Sequence, residues 1–245
     1  MQHLILSDMH GNWDAFESVL ERASREVYDR ILVLGDLVGY GGSPNEVVEA
    51  VRRLERVTMV RGNHDKVVAG VDPGENFNHV ALAAARWTSQ ELSEENLRFV
   101  NELPEGPTRI LDRTFICHGS PLDEDAYVFS DYDAYEIFTS HPADLIFFGH
   151  THVPSLFAFS RYGIEVMVLR GDGSLKLDPS TRYLVNPGSI GQPRDRDPRA
   201  AFMIYDQDEN TIRWFRVDYR VEGAQKRILD AGLPAILAER LAVGV

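Results

Sequence analysis

The chain has 245 residues, 44% of them hydrophobic, with a single cysteine and a formal net charge of -13. That apolar content suits a substantial core and excludes a disordered chain, and no apolar run nears the roughly 18 residues of a membrane-spanning helix. The acidic balance is opposite in sign to the basic footprint expected of a protein that holds long nucleic acid.

The first apolar run, His3–Ser7, reads as a strand and shows none of the basic and apolar regions of a secretion signal, so a cytoplasmic protein is expected. Trp13–Ala23 carries Trp13, Phe16, Val19, Leu20 and Ala23 at helical spacing. Ile31–Leu34 is a second short strand, Glu46–Leu54 a helix with Pro44 near its start, and Thr58–Val60 a third strand. Strands alternating with helices predict parallel βαβ units. Gly70–Phe77 is loop-like, His79–Val100 reads as one or two helices, and Phe77 and Trp87 are expected to pack within them. Thr114–Cys117 is a strand, Ser120–Asp125 a loop, Tyr132–Ser140 a helix and Leu145–Phe148 a strand. Residues 155–219 then alternate apolar segments with turns, at Leu156–Phe159, Glu165–Leu169, Tyr183–Val185, Ala201–Tyr205 and Ile212–Val217. They predict a separate antiparallel sheet, with a hairpin turn at Asp206–Asn210. Val221–Leu241 reads as helical. No repeat or linker interrupts the pattern, so residues 1–245 are expected to form a single domain.

The polar residues that follow these strands carry the chemistry. Asp8-Met9-His10, Gly35-Asp36, Gly62-Asn63-His64-Asp65, His118-Gly119 and Gly149-His150-Thr151-His152 come in that order. In a parallel sheet, ligands bind beyond the carboxyl ends of the strands, so these motifs should converge on one crevice. Residues at i and i+2 on extended backbone point the same way, which makes Asp8/His10 and His150/His152 chelating pairs. Asp36 has two oxygens and can bridge two ions; Asn63 offers a neutral carbonyl oxygen; His64 can act as general acid or meet phosphate oxygens. Carboxylate, amide and imidazole ligands without thiolate suit Mn, Fe, Zn, Co or Ni. Two divalent ions beside Asp8 and Asp36 leave about +2 at the site, attractive to a phosphate anion despite the acidic chain. Cys117 precedes His118 and should point to the opposite side, buried and inert; it excludes an internal disulfide and suits a reducing compartment. His3, His79 and His141 match no motif and read as structural or exposed. Arg194, Arg196 and Arg199 alternate with Asp195 and Asp197, and a solvated, salt-bridged loop is the expected reading, with a phosphate-side role as its competitor.

In this order, the five motifs resemble the calcineurin-like metallophosphoesterase superfamily, and Asn186-Pro187-Gly188-Ser189 is similar to a segment of its small bacterial phosphodiesterase branch. The resemblance implies a four-layer αββα sandwich, α/β in class, with a dinuclear metal site at the strand ends. It implies that Asp8, His10, Asp36 and His152 hold one ion, and that Asp36, Asn63, His118 and His150 hold the other. Manganese is the first expectation for both. It further implies that a metal-bridging hydroxide attacks phosphorus, with His64 assisting and Asp65 orienting His64. Gly35-Asp36-Leu37-Val38-Gly39 lacks the arginine that protein phosphatases and symmetrical dinucleoside tetraphosphatases carry after this motif, and Asp65 stands where they have Glu. The expected substrate is therefore a small phosphodiester. A dinucleoside polyphosphate or a phosphoprotein is the alternative, and a non-catalytic scaffold the remote one. No long nucleic acid and no membrane is expected as partner, and an oligomer is compatible with the sequence. Specificity should lie in the loops around 38–45, 70–80, 120–130 and 189–199.

Overall fold

A computed structural model describes residues 1–245. In chain order the strands are β1 (Gln2–Leu6), β2 (Arg30–Val33), β3 (Val57–Met59), β4 (Thr108–Leu111), β5 (Thr114–Ile116), β6 (Leu145–Phe147), β7 (Ser155–Ser160), β8 (Gly163–Val168), β9 (Gly173–Lys176), β10 (Arg182–Asn186), β11 (Ala200–Asp206) and β12 (Thr211–Val217). The helices are α1 (Trp13–Ala23), α2 (Pro44–Arg53), α3 (Asn63–Val68), α4 (His79–Glu91), α5 (Glu94–Asn101), α6 (Asp131–Ser140), α7 (Val221–Asp230) and α8 (Ala235–Glu239). Two six-stranded sheets form, ordered β3-β2-β1-β11-β12-β9 and β4-β5-β6-β10-β7-β8.

Alternation along the strands builds the layers. Leu4 and Leu6 of β1 face helices α1 and α2, packing with Phe16, Val19 and Val47, while Ile5 between them faces the other sheet. The inter-sheet layer holds Ile5, Leu32, Phe147, Leu156, Val185 and Met203. On the far side, Ile146, Phe157 and Leu184 pack against Ile137 and Phe138 of α6. The result is helix, sheet, sheet, helix, the sandwich that the motif order implies.

Strands β1, β2 and β3 run parallel, and so do β5, β6 and β10. Both parallel halves send their carboxyl ends, where the polar motifs lie, to the same edge of the sandwich. The segment 155–219 does not form a separate sheet. β7, β8 and β10 complete the second sheet, whereas β9, β11 and β12 extend the first, with β11 antiparallel beside β1. Apolar alternation marks a strand but not its partner, and the fully apolar run of β11 is buried on both faces. Edge strands β4 and β9 are short and half-exposed and escaped the pattern. The region 79–100 is two helices, broken where Ser93 caps α5 by accepting from the Asn96 amide. The C-terminal helical run breaks at Ala231–Pro234, where Gly232 (φ +69) and the proline end α7.

Candidate metal centre

Asp8 follows β1, Asp36 follows β2, Asn63 opens α3 behind β3, His118 follows β5, and His150 and His152 follow β6. All but Asn63 and His118 have left-handed backbone: φ is +53 at Asp8, +49 at His10, +53 at Asp36, +65 at His150 and +61 at His152. Asp and His tolerate this region better than most residues, yet each costs energy that the fold must supply, a pattern concentrated at functional sites. Gly62 lets the Asp36 carboxylate approach closely, since a Cβ there would lie 2.1 Å from Asp36 Oδ1.

Two groups of ligand atoms result. One atom each from Asp8, His10, Asp36 and His152 lie within 4.8 Å of one another, and Asp36, His118 and His150 form a second group. Asn63 Oδ1 joins the second group, 3.1 Å from His118 Nε2. Asp36 belongs to both: its Oδ2 is 3.4 Å from His10 Nε2 and 3.4 Å from His118 Nε2. The remaining nitrogen of every ring is tied to a backbone carbonyl. His10 Nδ1 donates to Val38, His118 Nδ1 to Leu34, His152 Nδ1 to Gln192 and His150 Nε2 to Asp125, at 3.1, 2.8, 2.6 and 3.1 Å. Each tie fixes the tautomer that leaves a lone pair pointing inward, the usual support for an imidazole ligand.

The inward atoms lack partners that suit them. His10 Nε2 faces His152 Nε2 at 3.0 Å, and His118 Nε2 faces His150 Nδ1 at 3.1 Å. Asp36 Oδ2 is buried with no hydrogen-bond donor. Burial pushes Asp8 up to about 7. At Asp36 burial opposes ionisation, but His118, His64 and His10 hold the carboxyl well below the usual carboxylate range. Burial likewise opposes charge on His118, and Asp36 and Asp8 lift it to about 10 regardless. The cluster thus calls for positive charge among converging lone pairs, and divalent cations meet that requirement. The structure brings the residues of the two expected groups together, with Asn63 beside the second.

The centre forms the floor of a cavity of about 320 Å³. His64 lines it, its ring 4.3 Å from Tyr40 and 4.5 Å from Phe77 between centroids, with Nδ1 buried and unpartnered. Burial drives His64 down to about 4 against the pull of Asp36, so the ring is neutral at neutral pH. Gly39 (φ +89) makes room for it, since a Cβ there would lie 2.3 Å from His64 Nδ1. Asp65 does not orient this ring. Its Oδ1 accepts from the Leu37 and Val38 amides and its Oδ2 from the Gly62 amide, so it joins the two ligand loops through backbone. Phe77 packs against the apolar clusters of the local helices, as expected, and also faces His64 and the cavity. Trp87, on α4, is half-buried against the cluster that α4 shares with α7. Cys117 is buried, its thiol pushed up by desolvation, as expected. His3 is buried, His141 half-buried and His79 exposed, all outside the centre.

Sequence reasoning missed Tyr40, Lys66, Tyr127 and Gln192. Tyr127 stacks on His150 at 3.8 Å, Lys66 lines the cavity, and Gln192 supplies the His152 carbonyl. None has a motif of its own, and only the fold brings them together. The Asn186–Ser189 segment does not reach the ligand atoms. Asn186 Nδ2 donates to the Gly149 carbonyl and Thr151 hydroxyl, and Ser189 Oγ donates to the Asp8 carbonyl.

Residues 1–210 match the model of the calcineurin-like phosphoesterase superfamily domain. An uncharacterised protein of Methanocaldococcus jannaschii is 36% identical over 244 residues, covering 98% of this chain and 97% of that protein. The crystal structure of a metallophosphoesterase from Sphaerobacter thermophilus is similar at a TM-score of 0.87 and 38% identity, covering 100% of this chain and 99% of that one. A symmetrical bis(5'-nucleosyl)-tetraphosphatase of Glaesserella parasuis is 40% identical over 67 residues, 26% of this chain and 25% of that protein.

Proposed function

The chain belongs to the calcineurin-like phosphoesterase superfamily, and from that premise we propose that its phosphoester hydrolysis is directed at small phosphodiesters. The observation that carries this reading is the pair of ligand groups sharing Asp36 on the floor of one cavity, with His64 beside them. We assign one ion to Asp8, His10, Asp36 and His152 and the other to Asp36, Asn63, His118 and His150, with manganese first among Mn, Fe, Ni, Co and Zn. When bound, the two ions supply Lewis acidity and lower the pKa of the attacking water. His64, neutral and facing the cavity, donates to an oxygen of the substrate phosphate or its leaving group. Asp65 acts by position, holding the Asp36 and Asn63 loops in register.

The preference for a diester rests on charge. Lys66, the lysine at the cavity, is already paired with Glu124 and Asp125 at 3.0 and 2.6 Å. Of the remaining charges Asp72 is negative and Arg194 positive, so the wall itself is close to neutral. A diester monoanion demands less compensation there than a monoester dianion. The local likeness to a tetraphosphatase makes a dinucleoside tetraphosphate the second substrate to assay. We propose a cytoplasmic enzyme whose partner is this small ester and not long nucleic acid; no helix is long and apolar enough to cross a membrane.

The test is hydrolysis of bis(p-nitrophenyl) phosphate and p-nitrophenyl phosphate side by side, with metal-stripped protein reloaded with Mn²⁺, Ni²⁺, Co²⁺ or Zn²⁺. Metal-dependent cleavage that favours the diester is the expected outcome. A larger kcat/KM for the monoester would refute the diester assignment, and stoichiometric metal uptake with neither ester cleaved would refute activity on small esters.

A further inference from the structure

The loop after Asn186–Ser189 carries five charged residues between 194 and 199, and their pairing is uneven. Asp195 pairs with the buried Arg216, and Asp197 pairs with Arg199 at 2.7 Å. The salt-bridged loop expected from sequence therefore exists, but the exposed Arg196 and the half-buried Arg194 are left out of it. Arg194 lines the cavity with His64, His150 and His152. Its Nη2 donates to Gln192 Oε1 at 3.1 Å and approaches Tyr40 Oη at 3.4 Å, both neutral groups. Its Nε is buried and has no partner at all. The guanidinium lies 5.9 Å from the Tyr40 ring centroid, and that of Arg240 lies 5.9 Å from the same ring. Arg240 donates to a backbone oxygen of Val245, so that guanidinium already has a partner.

A half-buried guanidinium with free donors and no counter-ion is costly unless an anion arrives with the ligand. Arginine is the side chain suited to this task, because its fixed fork of N–H donors matches phosphate oxygens. No arginine follows Gly35–Asp36 in this chain, and this one comes from a loop more than 150 residues later.

We propose that Arg194 is the anion clamp of the site, its guanidinium taking a non-bridging oxygen of the phosphate bound over the centre. Tyr40 and Gln192 hold the fork in place. The ligand class is a phosphate ester or the inorganic phosphate it resembles. This proposal rests on the phosphoesterase reading above.

The test uses the full chain loaded with Mn²⁺ and the variants Arg194→Met and Arg194→Gln. Methionine keeps an apolar stem against Tyr40, and glutamine keeps polar partners for Tyr40 and Gln192. Metal stoichiometry is measured first, then inorganic phosphate binding by calorimetry and as an inhibitor of bis(p-nitrophenyl) phosphate hydrolysis. Loss of one charge-assisted hydrogen bond predicts phosphate binding weaker by about tenfold to a hundredfold in both variants, with metal uptake unchanged. Phosphate binding within twofold of wild type in either folded variant would overturn the clamp and leave Arg194 as a tether for Tyr40. If the wild type hydrolyses no ester, the functional reading fails, and the calorimetric comparison still decides the clamp by itself.

Discussion

His152 and His64 lie at the same cavity and should fail differently. His152 turns Nε2 inward and anchors Nδ1 on the Gln192 carbonyl, whereas the His64 ring carries no such anchor and lines the cavity between Tyr40 and Phe77. His152→Ala should lose one of two ions, read as metal per chain by elemental analysis, with hydrolysis lost in parallel. His64→Ala should keep both ions and lower kcat for the diester by about 100- to 1,000-fold. Loss of metal in His64→Ala would place that residue in the holding set and break the division. The holding set was legible in sequence because each member directly follows a strand, and strand ends of a parallel sheet point to one place. Arg194 was legible only within a basic cluster whose phosphate-side role was the second reading. Its neighbour Asp195 is taken by Arg216, a residue of β12 that only the fold brings near, and Asp197 by Arg199. Local charge alternation read as mutual pairing because sequence shows who is adjacent, not who is taken. Asp65 misled in the same way: next to His64 in sequence, its carboxylate serves the backbone of another strand's loop.

The ligand loops depend on hydrogen bonds between neighbouring strand ends. Asn186, at the end of β10, donates to the carbonyl of Gly149 and to the Thr151 hydroxyl, which brackets His150. Asn186→Ala removes both bonds inside the protein and frees a loop whose φ values are unfavourable at His150 and His152. Metal affinity should fall by about 10- to 100-fold, as for other residues that support a ligand without touching the ion, measured by competition with a chelator. An affinity unchanged from wild type would mean that packing alone holds the loop. A second brace joins α3 to the loop 120–130: Glu124 binds Arg61 at 2.8 Å and Lys66 at 3.0 Å. Burial works against the Glu124 charge, yet Arg61 and Lys66 hold its carboxyl below the usual value. A depressed folded pKa gives stability that is present above the unfolded value near 4.5 and lost as pH falls through the folded value. Glu124→Gln should therefore destabilise at pH 7 by about 1–3 kcal/mol, and the gap from wild type should close as pH falls below 4.5 and through the depressed folded value. A gap independent of pH would mean that shape, not charge, is what Glu124 contributes.

Across the whole molecule, two parallel strand sets in two different sheets face their carboxyl ends to one edge, and the inter-sheet layer keeps them there. Phe147 sits in that layer fully buried, three residues before His150. Sequence could show each strand and its polar end, and the motif order implied the sandwich. It could not show that β11 inserts beside β1 while β10 lies beside β6, because burial on both faces erases the alternation that would tell one sheet from the other. The same architecture concentrates unfavourable features at one edge: two buried carboxylates, facing imidazole lone pairs and five left-handed residues. The ions repay that cost in the folded state, so stability must depend on them. One ion at about a thousand times its dissociation constant adds about 4 kcal/mol. For a chain of this size each kcal/mol moves the melting temperature by about 2–4 °C. Chelation should therefore lower Tm by about 10 °C or more, reversed by Mn²⁺ in molar excess and measured by calorimetry. In Asp36→Asn, which weakens both ligand groups at once, chelator should shift Tm by only about 2 °C or less, because little ion is bound to remove. A full chelator response in that variant would mean that the ions bind and stabilise without the shared carboxylate, and the two groups would then have to be treated as separate sites.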